Sequence, residues 1–310
     1  MSLNYYNHPI LKAVRNNQEV SLETILLEPN SQEILNNCLV YSIFFASEEK
    51  SFQFLQMGAD FRHNNYEAVR GAVHNGYLNI LKYFIAQGAD PFLKDDDHIG
   101  YYTTDAAYWG KLNILKYLID ECKVPFNNDN DSSFRYACYY GHLDCVEYLY
   151  DKRVDINAED GFAVIRACEK NQTQVIKFLI EKGIDIEKFK YPVLQSICHY
   201  GTMETLDIVL KKTKFDITEN IMACSILNTQ TDILEYMLDC GGDIHSSKDY
   251  LLQTADKEKR FELIDIALNR GITAEYIMEN TSDVTHAYLL QKKLENNMMF
   301  KNNKTILIKI

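Results

Sequence analysis

An all-α fold of stacked two-helix repeats is predicted by three observations on this 310-residue chain. One pattern is written over and over. Gly76-Tyr77-Leu78-Asn79-Ile80-Leu81-Lys82-Tyr83-Phe84-Ile85, Gly110-Lys111-Leu112-Asn113-Ile114-Leu115-Lys116-Tyr117-Leu118-Ile119 and Gly141-His142-Leu143-Asp144-Cys145-Val146-Glu147-Tyr148-Leu149-Tyr150 align position by position. The copies keep register, because their last residues fall at 58, 88, 122, 153, 183, 213, 241 and 271, in steps of 30, 34, 31, 30, 30, 28 and 30. Inside each copy, apolar pairs recur at i, i+1, i+4 and i+5, as in Ile80/Leu81/Phe84/Ile85, the spacing of a wide apolar stripe on a helix.

Taken in chain order, residues 1–37 form a first repeat whose Arg15-Asn16-Asn17 and Glu23 suit an exposed N-terminal cap. Residues 38–57 are the least regular, with a short second helix at about Lys50 to Met57. From there each repeat has a shorter first helix, a Gly turn, a longer second helix and a polar loop. Small residues on the first helix (Ala72, Ala106, Ala107, Ala137, Ala167) let the paired helix approach. Gly76, Gly110, Gly141 and Gly201 stand at the turn, where positive φ is tolerated. One polar position interrupts each second-helix stripe (Lys82, Lys116, Glu147, Lys177, Asp207, Glu235, Asp265) and must face water. The array runs over 38–272. Residues 273–310 then supply closing helices at 274–280 and 284–296, with Tyr288, Leu289 and Leu290 on the last apolar face. A tail bearing Lys292, Lys293, Lys301, Lys304 and Lys309 follows. A single hairpin of this kind cannot bury both faces, whereas stacked copies can, so the expected form is one curved solenoid of near-neighbour contacts.

The pattern resembles the ankyrin repeat: Ala, two variable residues, Gly-His-Leu, an apolar pair, Tyr-Leu, then Gly-Ala-Asp. Gly141-His142-Leu143 and Gly88-Ala89-Asp90 match it best. The resemblance spans about residues 8–272 as roughly nine units and is strongest over 66–186. The family's Thr-Pro-Leu-His opening is missing, so Arg70 and Arg135 stand where the family's His links neighbouring loops. The shortened period, these Arg residues and an Asn/Ile/Lys/Tyr-rich composition are similar to the mimivirus-like ankyrin proteins of giant DNA viruses of amoebae.

Composition narrows the function. The charge sum is 32 − 44 = −12, which repels a phosphate backbone, so nucleic acid is not an expected partner. No apolar run approaches the ~20 residues of a spanning helix, and the start, Met1-Ser2-Leu3-Asn4-Tyr5-Tyr6, lacks the basic region and following apolar stretch of a secretory signal, so a cytoplasmic chain with no membrane partner is expected. The eight Cys contain no CxxC pair and read as reduced thiols. Cys138, Cys168 and Cys198 lie 30 apart, but equivalent positions in a stack form a ladder rather than a converging metal site, and Val73 and Ala107 fill the same slot. The eight His are scattered, and His142 occupies the position that packs at a helix start. No nucleophile elbow, HExxH, P-loop or dinucleotide fingerprint occurs, so neither catalytic residues nor a cofactor are expected. The Asp95-Asp96-Asp97 run has the look of a solvated loop.

One constellation stands out. The two residues before each turn are His74/Asn75, Tyr108/Trp109, Tyr139/Tyr140, Glu169/Lys170 and His199/Tyr200. On ankyrin geometry they face the concave side. The set includes the chain's only Trp, and Tyr and Trp offer large rigid area with a polar tip. His74, Tyr108, Trp109, Tyr139, Tyr140, His199 and Tyr200 are therefore the candidate protein-binding residues of a monomeric, non-enzymatic scaffold, with host proteins as partners if the viral resemblance holds. The rival reading is a substrate-recruiting adaptor for a ubiquitin ligase, since many viral ankyrin proteins carry an F-box-like tail. Residues 272–310 show no clear motif of that type.

Overall fold

The structure, a computed structural model, describes residues 7–92, 101–212, 219–228 and 230–307, with side chains to residue 295 except 128–130 and 219–220. The Asp95-Asp96-Asp97 run, His98, Lys309 and the side chains of Lys301 and Lys304 lie outside the described residues. Apart from one bridge residue at Tyr101, every regular element among the described residues is helical. The chain divides into two units, Met1–Ala167 and Cys168–Ile310.

The first unit contains α1 (Pro9–Arg15), α2 (Leu22–Leu26), α3 (Ser31–Phe45), α4 (Glu48–Gln56), α5 (His63–Asn75), α6 (Leu78–Ala86) and α7 (Tyr102–Tyr108). It continues with α8 (Leu112–Lys116, running on as a π-helical turn over Tyr117–Glu121), α9 (Asn128–Tyr140), α10 (Leu143–Asp151) and most of α11 (Ala158–Glu169). First helices α3, α5, α7 and α9 pack in succession, as do second helices α4 with α6 and α8 with α10. The second unit contains α12 (Thr173–Glu181), α13 (Ile186–Tyr200), α14 (Met203–Leu210), α15 (Glu219–Leu227), α16 (Thr231–Asp239), α17 (Ile244–Glu258), α18 (Phe261–Asn269), α19 (Ala274–Glu279) and α20 (Asp283–Leu307). There α13, α15 and α17 pack in one row and α12, α14, α16 and α18 in another.

The apolar stripe forms the core as its spacing requires. Ile80, Leu81 and Phe84 are buried, as are Ile114, Leu115 and Leu118, and Cys145, Val146 and Leu149. Burying one such side chain fully is worth about 1.5–3 kcal/mol. The polar position on the second helix faces outward but is not idle. Lys82 pairs with Glu121 at 3.5 Å, Lys177 with Glu204 at 3.1 Å, and Asp207 accepts from Tyr236 at 3.1 Å, each reaching a neighbouring repeat.

The register of the repeats is a backbone register. Gly58, Gly88, Arg153, Gly183, Gly241 and Gly271, which close second helices, have positive φ, and in the longer second step Lys123 takes that role one residue after Cys122, while Thr213 lies outside the described residues. At the turn between helices Gly76, Gly110 and Gly141 also have positive φ, but Gly201 does not. Its φ is −76° and ψ 175°, and a Cβ there would stand 2.5 Å from the Ile197 carbonyl oxygen. Close approach, not left-handed geometry, keeps this position small.

Three sequence expectations are corrected. First helices are not generally the shorter ones: α13 and α17 have 15 residues each, against 8 in α14 and 9 in α18, and the expected order holds at α7, which has 7 residues. In α5 the extra length is a left-handed turn, with Asn64, Asn65 and Tyr66 all at positive φ before the right-handed helix begins. Asn tolerates that region better than most residues. The second helix α4 has 9 residues, the same as α6. At the C-terminus Tyr288 stacks on Phe261 at 4.5 Å and donates to Asp265 at 2.8 Å, and Leu289 is buried, but Leu290 points outward and is 55% exposed.

The cysteine ladder is core. Cys138, Cys168 and Cys198 are fully buried, as are Val73 and Ala107. Burial pushes the Cys38, Cys145 and Cys198 thiols up to about 12 and raises Cys138 and Cys168 as well. A thiol reagent should therefore modify exposed Cys240 first, and the five buried thiols only on unfolding. Because the folded state holds these protons beyond the unfolded value of 9.0, stability should fall as pH rises above it. Rapid native labelling of Cys138, shown by peptide mass mapping, would contradict this packing.

Candidate functional site

The site grows out of the turns that join the two helices of each repeat. His74 and Asn75 end α5, Tyr108 and Trp109 close α7, and Tyr139 and Tyr140 end α9. Because α3, α5, α7 and α9 lie against one another, these ends are neighbours. Hydrogen bonds between repeats hold them in register. Asn75 Nδ2 donates to the Ile43 carbonyl at 3.0 Å, Asn113 Nδ2 donates to the Gly76 carbonyl at 3.1 Å, and His142 Nε2 lies 3.0 Å from the Tyr108 carbonyl. His142 is at the start of α10, and its ring lies against Gly110, so the helix-start packing expected of it is present.

The result is a continuous row of rings. Phe44 and His74 have centroids 5.6 Å apart, His74 and Trp109 3.9 Å, Trp109 and Tyr108 4.7 Å, Tyr108 and Tyr140 4.2 Å, and Tyr140 and Tyr139 4.8 Å. Tyr136 joins from one turn earlier on α9, 5.6 Å from Tyr108. The Tyr140 hydroxyl donates to the Tyr108 hydroxyl at 2.7 Å. Burial first, and that hydrogen bond second, push the Tyr140 phenol up to about 12, so it stays a neutral donor. Trp109 is 41% exposed and Tyr140 37%, while Tyr108, Tyr139 and His74 are half-buried. Rings fixed by rings lose little side-chain freedom when a ligand settles on them.

Five of the seven residues picked from sequence thus come together in one row. His199 and Tyr200 form their own pair in the second unit, 5.6 Å apart, with Tyr200 60% exposed and its carbonyl accepting from Asn171 at 2.5 Å. Glu169 and Lys170 also belong to that unit. Phe44 was missed because residues 38–57 break the pattern, although it stands 30 residues before His74. Two hollows flank the row. One, of about 250 Å³, is lined by Phe44, Glu67, Arg70, His74, Asp105, Tyr108 and Trp109. The other, of about 340 Å³, is lined by Arg135, Tyr136, Tyr139, Tyr140, Phe162 and Arg166. Arg135, which stands where the family's His would link loops, reaches the next repeat by lying over the Phe162 ring, 4.7 Å from its centroid.

Burial, and then the Lys111 charge, hold the His74 imidazole below its ordinary 6.5. Protonated imidazole quenches indole emission, and the two rings touch. Trp109 fluorescence should therefore fall only as pH drops below 6.5. The unfolded chain would take up the proton at higher pH than the folded one, so stability falls over the same acid window. A fluorescence midpoint at or above 6.5 would contradict the contact.

Among the described residues, no group of three or more His, Cys, Asp or Glu is placed to hold a metal ion. Among them, too, no helix is long and apolar enough to cross a membrane.

Comparison with known proteins agrees with the repeat. Residues 69–160 match the family model for ankyrin repeats, in three copies. The chain is similar to the ankyrin repeat protein R837 of Acanthamoeba polyphaga mimivirus, with 26% identity over 118 residues, 38% of this chain and 14% of that protein. It therefore spans only a small part of that relative. Among solved structures it is similar to the human ASB11 ankyrin repeat domain, at TM-score 0.46 and 17% identity, over 57% of this chain and 84% of the other. The helix pairs of residues 69–160, which carry the rings from His74 to Tyr140, are thus ankyrin repeats.

Proposed function

We propose that this chain is a non-enzymatic scaffold that binds a protein partner through the aromatic row of its first unit. The observation that carries the reading is the unbroken sequence of rings from Phe44 to Tyr139, with Trp109 at its exposed centre. Ankyrin repeats are protein-interaction modules, and stacked repeats offer a long rigid surface for that purpose. Aromatic side chains dominate binding energy because they pair large apolar area with few rotatable bonds. The partner on this reading is a host protein of a virus-encoded monomer acting in host cytoplasm, and His199 and Tyr200 are a second, smaller contact.

The test is affinity capture with quantitative mass spectrometry from host cells, comparing the wild-type chain with Trp109→Ala and Tyr140→Ala. Partners bound through this face are lost from both variants while the fold, followed by circular dichroism, is kept. Equal recovery by all three chains would refute the proposal. Recovery of ligase core subunits independently of these residues would favour the adaptor function instead.

A further inference from the structure

The aromatic row carries hydrogen-bond donors as well as apolar area. The Tyr108 hydroxyl accepts from Tyr140 at 2.7 Å in an exposed position, so its own proton is left for another acceptor. A hydroxyl that already accepts is polarised into a stronger donor. The Trp109 indole N–H, a group that only donates, has no hydrogen-bond partner among the described residues. The charges beside the row, by contrast, are engaged. Arg70 and Asp105 in the smaller hollow, and Arg135 and Arg166 in the larger, have further partners within the chain. Asp131 acts on Arg135, and Glu67 accepts from Asn64 at 3.4 Å. What suits this face is an uncharged segment with apolar groups to lay on the rings and carbonyls to meet the donors.

An α-helix spends its carbonyls internally, and an ordinary extended strand brings an N–H donor for every carbonyl. A proline-rich segment differs, because proline has no N–H and the polyproline II helix makes no internal hydrogen bonds. Its spacing also agrees. That helix repeats every three residues at about 3.1 Å each, about 9 Å per turn. Tyr108 stands between Trp109 and Tyr140, 4.7 Å from one centroid and 4.2 Å from the other, so these two exposed rings are no more than one such turn apart. We propose, resting on the protein-binding role above, that the partner segment seated on this row is a proline-rich stretch in the polyproline II conformation. Two prolines three residues apart lie against Trp109 and Tyr140, and carbonyls of the same stretch accept from the Trp109 N–H and the Tyr108 hydroxyl. Being stiff beforehand, such a segment loses little freedom on docking.

The probe is a pair of fluorescein-labelled, amidated decapeptide pools. One has Pro fixed at two central positions three apart, the other has Ala at both, and the remaining positions are drawn from Ala, Leu, Ser and Gly. Binding to the full chain is read by fluorescence polarisation. The Pro pool should bind about tenfold tighter than the Ala pool. Trp109→Phe and Tyr108→Phe keep a ring and remove a donor, so each should weaken the Pro pool by about threefold to tenfold. Melting curves show whether either variant is still folded. Equal binding of the two pools overturns the proposal. So does preference for the helix-favouring Ala pool, a Pro preference undiminished in both Phe variants, or absence of binding by both pools. If the proposal falls but host proteins are still lost on capture with Trp109→Ala and Tyr140→Ala, the docking face stands and only its ligand class is wrong. Equal capture by the wild-type chain and those variants removes both.

Discussion

Gly110→Ala destabilises the first unit by about 2 to 4 kcal/mol. Two physical effects add at this residue. Gly110 sits at φ 65°, in the left-handed region, where a Cβ is opposed by the following carbonyl at about 1–2 kcal/mol. That Cβ would also stand 2.4 Å from Nδ1 of His142, inside the ring that closes the turn. The imidazole must move, and its contact with the Tyr108 carbonyl goes with it, a loss of about 1 kcal/mol. Gly88→Ala is the control: its φ is 94°, but nothing lies within 4 Å of the added Cβ, so only the backbone effect remains. Urea melts should rank the variants in that order. A Gly110→Ala chain no less stable than Gly88→Ala would mean that His142 does not seal the turn. The same change should disturb the aromatic row, because His142 and Tyr140 rings are 6.3 Å apart and stacked at 19°.

On the proposed function, Trp109→Ala should weaken partner binding by about thirty-fold or more, the loss of roughly 2 kcal/mol typical of a central aromatic anchor. It leaves stability within about 1 kcal/mol, as expected for a side chain with much of its surface in water. The comparison with Tyr108→Ala separates binding from folding. Tyr108 is half-buried between Trp109, Tyr136 and Tyr140, and its hydroxyl accepts from Tyr140, so its removal should lower both affinity and stability. Trp109→Ala affecting stability as much as Tyr108→Ala would mark the indole as packing, not docking surface.

Much of this fold was legible because the repeat writes its backbone into the sequence. Most second helices among the described residues close on a left-handed residue, and Gly is its favoured occupant, so Gly58, Gly88, Gly183, Gly241 and Gly271 announce the period directly. The apolar stripe did the rest. Legibility failed where geometry is shared between repeats. The length of α5 was misjudged because Asn64, Asn65 and Tyr66 wind left-handed at its start, a conformation that no hydrophobic period records. Gly201 has the right type for a turn but is constrained by Ile197 rather than by φ. Phe44 lay in the least regular repeat. The pairing of Arg135 with Phe162 spans 27 residues and two helices, so neither partner signals the other along the chain. His74, Tyr108, Trp109, Tyr139 and Tyr140 were legible because each falls at the same position of its own repeat, and stacking repeats makes equal positions neighbours.

The chain's only Trp lies at the centre of the proposed docking face, so its emission tests that claim most directly. Acrylamide quenching of Trp109 should be efficient in the free chain, whose indole is 41% exposed, and should drop, with a blue-shifted emission, when the captured partner is added. Quenching and emission unchanged at saturating partner would show that binding occurs elsewhere, and the aromatic row would have to be explained as packing.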